Sequence, residues 1–173
     1  MRSISVYGNV VIKQGDEIIV EKHNDVLVNG YKWLCSMWLC ASLGNVNIGS
    51  KLFNIKFGKG NDPNSKVTDS LDSSIDIDPN SKYGDGVNSS GNRYETRFVG
   101  SWNSGSLNTG LESNEKLEEV GLFLGMCNIQ TTRWTSTTFA QGLFARMTLG
   151  DDAFVPNANK PVIVEWTIGV EFK

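Results

Sequence analysis

Pro161-Val162-Ile163-Val164-Glu165-Trp166-Thr167-Ile168-Gly169-Val170-Glu171-Phe172 is the stretch that decides the fold. Val162, Val164, Trp166, Ile168, Val170 and Phe172 take every second position, and Glu165, Thr167 and Glu171 fall between them. Side chains alternate across a strand, so this pattern predicts a long strand with one apolar face. A helix would scatter the same six residues around its axis. Pro161 suits a first strand residue, where its missing N–H costs no ladder bond. Two further stretches repeat the pattern. Glu119–Leu124 sets Val120, Leu122 and Leu124 on one side, and Leu143–Leu149 sets Leu143, Ala145, Met147 and Leu149 on one side. The three are expected to share much of one sheet and to define the core, with Val164, Trp166, Ile168 and Val170 buried against Val120, Leu122 and Leu124.

Outward from this core the pattern stays mostly β. Ser3–Ile12, the turn Gln14-Gly15-Asp16 and Glu17–Glu21 predict an N-terminal hairpin over 1–22. Tyr31–Leu43 changes period: Trp33, Leu34, Met37, Trp38, Ala41 and Leu43 recur at threes and fours. With Asn29 as N-cap and Gly44 past the end, this predicts one short amphipathic helix over 31–43. Leu52–Phe57 predicts a strand with Phe53, Ile55 and Phe57 inward. Residues 59–92 read as one long polar loop, in which Asp-Pro-Asn-Ser-Lys occurs twice, from Asp62 and from Asp78. Its first four residues, Asp-Pro-Asn-Ser, are type I turn chemistry. Arg93–Trp102 resumes strand character, and Cys127–Thr138 is a polar excursion, the tip of a long hairpin. About eight strands and one helix give a single all-β domain over 1–173, mainly antiparallel. A β-sandwich, jelly-roll-like in one arrangement, is the expectation, with a barrel as the alternative.

The totals narrow the function classes. The 173 residues carry 16 Lys and Arg against 19 Asp and Glu, a net charge of −3, which disfavours a nucleic-acid backbone as partner. No run reaches the roughly 18 apolar residues of a membrane helix, and the first residues show no signal-peptide core. Three Cys cannot form a complete disulfide framework, so synthesis in a reducing cytoplasm is expected.

No catalytic or cofactor constellation stands out. The single histidine, His23, excludes two-His metal sites within one chain and reads as a strand-end surface residue. Cys35 and Cys40 fall on different faces of the predicted helix and read as buried thiols. Asp76, Asp78 and Asn80 open a calcium-loop pattern, Asp-x-Asp-x-Asn. Ser81 and Val87 stand where the helix-loop-helix version needs Gly and Glu, so that site is absent. A looser calcium set of Asp76, Asp78, Asn80 and Asp85 stays open beside the plainer reading of solvated turn carboxylates. The pairs Glu112/Glu115 and Glu118/Glu119 have the residue type of a glycosidase dyad but arise readily in Glu-rich loops. Trp102 and Trp134 could stack on a sugar ring or pack under their own loops. In the Cys127–Thr138 excursion, Trp134 and Phe139 beside Arg133 have the composition of interaction anchors.

The order of motifs carries a resemblance. Val28-Asn29-Gly30-Tyr31-Lys32-Trp33-Leu34 is followed by Lys56-Phe57-Gly58-Lys59-Gly60-Asn61 and by Ser70-Leu71. Then come Arg97, Glu119-Val120-Gly121-Leu122-Phe123, Leu143-Phe144-Ala145-Arg146 and the terminal Val-x-Trp-x-Ile strand. Over about Val28 to Phe172 this resembles small β-sandwich structural domains of tailed bacteriophages, found in tail-fibre, collar and baseplate proteins. The resemblance implies a non-enzymatic virion part, made in the host cytoplasm and assembled with other virion proteins. It also implies a homo-oligomer, for which a trimer is plausible, with no membrane or nucleic-acid partner. A copy standing alone is expected to be an adaptor, a collar component or a capsid-decorating protein. A carbohydrate-binding module that recognises a host glycan, or a hydrolase on the same fold, are the alternatives. The resemblance places an arginine at Arg146, which is expected to pair with Glu119 or to hold a loop carbonyl, the alternative being a solvated surface arginine.

Overall fold

The computed structural model describes residues 3–24, 53–60, 71, 74–127 and 139–173. The expected helix over 31–43, with Cys35 and Cys40, lies outside them, as do Arg133 and Trp134. Eight strands run through the described residues: β1 (Ile4–Gln14), β2 (Glu17–Asn24), β3 (Phe53–Gly58), β4 (Ser81–Ser90), β5 (Arg93–Trp102), β6 (Glu119–Cys127), β7 (Phe139–Thr148) and β8 (Val162–Phe172). They form an all-β sandwich of two antiparallel sheets, one of five strands in the order β2-β1-β8-β5-β4 and one of three in the order β3-β6-β7. No ladder joins the two sheets among the described residues, so the arrangement is a sandwich rather than a barrel.

β8 lies at the centre of the larger sheet. It pairs along its full length with β1, from Ile4↔Phe172 to Gln14↔Val162, and along its other edge with β5, from Arg93↔Glu171 to Trp102↔Val162. Its alternation has the expected result: Val162, Val164, Trp166 and Ile168 are buried, and Ile163, Glu165 and Thr167 are not. Across the gap they share one core with Phe53, Ile55, Phe57, Val120, Leu122 and Leu124. Burying a side chain of this size contributes about 1.5–3 kcal/mol, so this layer dominates the stability. The hairpin of β1 and β2 forms as expected, with Gly15 at φ 64° in its turn.

Four expectations are corrected. The three strongly patterned stretches do not share a sheet: β8 belongs to the larger, β6 and β7 to the smaller. Alternation specifies which face is apolar and says nothing of which strand lies alongside. Next, the 59–92 loop contains a ten-residue strand, β4. Its Ser-, Gly- and Asn-rich sequence has low strand propensity, but β5 templates it from Ser81↔Ser101 to Ser90↔Arg93, with a bulge between Asp85 and Asn88. Third, Leu143 does not share a face with Ala145 and Met147. The β6–β7 register shifts at Leu122/Phe123, and the bulge turns Phe144 into the main core while Leu143 packs with Leu71 and Phe123 in a separate cluster. Fourth, Val170, expected in the core, is only half-buried.

Two strand glycines, Gly169 and Gly121, are crossed by side chains. Tyr7, Gly169 and Glu95 form one row across β1, β8 and β5. The Tyr7 ring lies over Gly169, where a Cβ would stand 2.1 Å from Tyr7 Cζ, and its hydroxyl donates to Glu95 Oε1 at 2.5 Å. That bond, then burial, raises the Tyr7 pKa above its usual value. Gly121 is the counterpart in the smaller sheet, where a Cβ would meet Leu143 and Leu71 at 2.7 and 2.9 Å.

Candidate interaction surface

The two sheets are in step but unequal in reach. Phe53 of β3 meets Phe98 of β5 at a 5.1 Å ring distance, and four residues on, Phe57 meets Trp102 at 5.1 Å. β3 therefore runs alongside β5, and its first residue stands level with Phe98. Tyr94 lies four residues further out on β5, about 13 Å at about 3.3 Å per residue. The inward-facing row of the larger sheet thus continues past the start of β3, while β6 and β7 run on past Leu124, the partner of Phe53, to Cys127 and Phe139.

Exposure follows this geometry. Along β8 it rises from 0% at Trp166 to 7% at Ile168 and 37% at Phe172, and along β1 from 0% at Val10 to 52% at Ile4. Along β5 it rises from 1% at Trp102 to 48% at Tyr94. Ile4 and Phe172 are register partners, and Tyr94 packs edge-on to Phe172 at 5.9 Å. Together they make an apolar strip continuous with the core, backed by half-buried Val6 and Val170. The chain also leaves β2 at Asn24, opposite Gly8, enters β3 at Phe53, and turns between Cys127 and Phe139, which pair with each other. All three points lie towards this end of the sandwich.

The rim of the strip is charged and balanced. Arg93 Nε stands 2.9 Å from Glu171 Oε1, Lys173 Nζ lies 3.4 Å from Glu171 Oε2, and Glu95 accepts from Tyr7. The hydrogen bond from Arg93 holds the Glu171 carboxyl below the usual carboxylate range, and the same contact raises Arg93. The strand ends are clamped as well: Ser3 and Lys173 exchange both backbone bonds, at 3.0 and 2.8 Å.

A second feature is a buried ion pair. Arg146 Nε donates to Glu119 Oε2 at 2.6 Å, with side chains 5% and 0% exposed. Both residues sit on the face of the smaller sheet that points away from the sandwich core, where Arg146 opposes Gly121 and Glu119 lies two residues back along β6, diagonal to Arg146. The sequence supplied the pairing of Glu119 with Arg146 as one option; its burial was not legible, because an outward strand position ordinarily meets solvent.

The remaining candidates are dispersed. Asp76 pairs with Lys56 at 2.8 Å, and that bond lowers its pKa. Asp78 accepts from Asn54 at 2.6 Å. Asn80 accepts from the Asn103 backbone at 2.8 Å and the Ser106 hydroxyl at 3.2 Å. Asp85 lies in β4 opposite Arg97. The oxygens of Asp76, Asp78 and Asn80 serve ion pairs and turns, and no group of His, Cys, Asp and Glu placed to hold a metal occurs among the described residues. Glu115 accepts from the Glu112 backbone at 2.8 Å and pairs with Lys59 at 2.7 Å, so these carboxylates cap a turn. Trp102 is 1% exposed and donates Nε1–H to the Ile77 carbonyl at 3.0 Å. It is a core residue and offers no sugar platform. Trp166 is buried at the core centre. Phe139 begins β7. His23 is exposed near the end of β2. A shallow groove of about 430 Å³ lies between Lys59, Asp76 and Thr109, and its Lys and Asp are both engaged in ion pairs. No helix among the described residues is long and apolar enough to cross a membrane.

Comparison with family models, with curated proteins and with solved structures finds no match to this chain.

Proposed function

We propose that this protein is a non-enzymatic structural component of a tailed-bacteriophage virion, an adaptor of the tail fibre, collar or baseplate that works through protein–protein contacts. One observation carries the reading. Two of the motifs that carry the resemblance, Glu119-Val120-Gly121-Leu122-Phe123 and Leu143-Phe144-Ala145-Arg146, meet through their charged ends in the buried Glu119–Arg146 pair. Motif order in a sequence is weak support, whereas two motifs that complete one buried contact behave as a unit. The open apolar end of the sandwich supplies a surface for assembly, and exposed apolar strips continuous with a core are where proteins meet partners.

On this reading the chain is found in the particle, beside other virion proteins. The test is quantitative mass spectrometry of purified particles, with tails and heads separated. A fixed copy number in the tail fraction is the expected result. A fixed copy number in heads would move the role to capsid decoration, and absence from particles would overturn the proposal.

A further inference from the structure

We propose that the hairpin of β6 and β7 has two registers, and that the first half of β7 slides by one residue between them while its second half stays pinned. The observation is the bulge. From Glu119↔Thr148 to Leu122↔Ala145 the pairing is regular, and from Phe123↔Leu143 to Cys127↔Phe139 it is regular again, one residue out of step. Phe144 is the residue left over, and it and its neighbour Ala145 both lie in the main core at 0% exposure. Two consecutive residues on one side of a strand are the mark of a bulge. Without it the first pairing would run on, setting Phe123 against Phe144 and Leu124 against Leu143. That regular register is also the one that the alternation of Leu143, Ala145 and Met147 describes.

The two registers are close in content. Leu143 and Phe144 are both apolar and both buried, at 1% and 0% exposure. A slip therefore exchanges one apolar residue for another, in the core and in the outer cluster with Leu71 and Phe123. That cluster sits where a Cβ on Gly121 would meet Leu143, Leu71 and Phe123, so the glycine leaves a hollow. Tyr7 over Gly169 shows that this chain lays an aromatic ring on such a glycine. The bulged register puts the larger side chain in the core and leaves Phe144 without a register partner. The regular register completes the ladder and sets Phe144 beside Phe123, a favourable cross-strand pair. It also brings Gln141 from Gly125 to Met126, in the row of Leu122 and Leu124, and a polar residue in that row makes the regular register the minor one. Minor states of this kind are populated at about 0.1 to about 10%.

The second half of β7 does not move. Glu119 and Arg146 lie on the fixed side of the bulge, and their buried ion pair holds that side in one pairing. The slip shifts the start of β7 by about 3.3 Å, sets Cys127 against Ala140 and releases Phe139 from the ladder. Phe139 is one of the interaction anchors expected from the sequence, so its release regulates contact with a partner. That use rests on the assembly reading above, and the slip itself does not.

The test is NMR of the full chain, with cross-strand NOEs to read the register and saturation-transfer or relaxation-dispersion experiments to detect slow exchange. Wild type should show Phe123 paired with Leu143, and a minor state confined to residues 123–127 and 139–144, with 119–122 and 145–148 unaffected. Phe144→Thr places a polar residue in the core of the bulged register but on the outer face of the regular one, so Phe123 should then pair mainly with position 144. Leu143→Thr does the reverse and should lower the minor population at least about tenfold. A Phe144→Thr chain that keeps the pairing of Phe123 with Leu143, or that loses the sheet, would overturn the proposal. So would a wild type with no minor state, or exchange spread equally over both halves of the hairpin, which is local unfolding and not a slip. Any of these results leaves the virion reading to its own particle test.

Discussion

Removing one member of the Glu119–Arg146 pair should cost far more than removing both. At 2.6 Å and an effective dielectric of about 20, the attraction is on the order of 6 kcal/mol. Desolvation of two side chains that are 0% and 5% exposed offsets much of that gain, so the pair's net contribution is small. Arg146→Met leaves the Glu119 carboxylate buried without its guanidinium, and Glu119→Leu does the reverse. Each should lose about 3–5 kcal/mol, a large part of the roughly 5–15 kcal/mol a domain has. For a chain of this size that lowers Tm by roughly 10 °C. The double variant replaces both charges with apolar groups of similar volume and should lie within about 2 kcal/mol of wild type. Urea unfolding of the four proteins, followed by Trp fluorescence, gives the coupling energy directly. Additive single losses, or single losses below about 1 kcal/mol typical of a surface pair, would refute the argument from burial.

Trp166→Ala should destabilise by about 3–5 kcal/mol because the ring is fully buried between the sheets; an unchanged melting curve would contradict the core assignment. Gly169→Ala should lose about 1–3 kcal/mol by displacing the Tyr7 ring, and the loss should largely vanish in a Tyr7→Ala background, as chevron or equilibrium unfolding of both would report. The raised Tyr7 pKa means the folded state holds the phenol proton more tightly than the unfolded chain. Its stabilisation is complete below about pH 10 and fades as pH rises through the folded value, so between those limits wild type should lose stability faster than Tyr7→Phe. The lowered pKa values of Asp76, Glu115 and Glu171 have the opposite sign. Their contribution is complete above the normal carboxylate range, about pH 4, and is lost as pH falls through the lowered values, which a Tm-against-pH series from 7 to 3 would show as an acid limb.

The sequence made the faces legible and left the neighbours hidden. Alternation in β8 identified Val164, Trp166 and Ile168 as core because burial on one face needs only period two. Nothing in that period says that β8 pairs with β1 and β5 while β6 and β7 form another sheet; that depends on loops and on which faces close over which. β4 was illegible because Gly84, Gly86, Asn88 and the serines around them carry no apolar pattern, and the strand exists through its pairing with β5. Leu143 was misplaced by one unseen bulge, which shifts every later side chain to the other face. The Asp and Asn residues of 76–80 looked like a ligand set because turn chemistry and calcium chemistry use the same oxygens. In the fold those oxygens accept from Lys56, Asn54, Asn103 and Ser106.

The misreading of Val170, with Phe172 beyond it, is informative about the surface. In sequence they extend the row of Val162, Val164, Trp166 and Ile168 without a break, so pattern alone makes them core. Among the described residues β3 starts level with Phe98 while β8 and β1 run on to Phe172 and Ile4, where Phe172 is 37% exposed. A strand whose exposed end served only solvent would be expected to turn polar on that face. Ile4, Tyr94 and Phe172 instead keep the residue types of the interior where solvent meets them, and each such side chain left in water forgoes roughly 25 cal/mol per Å² of possible burial. Covering those residues would recover that free energy.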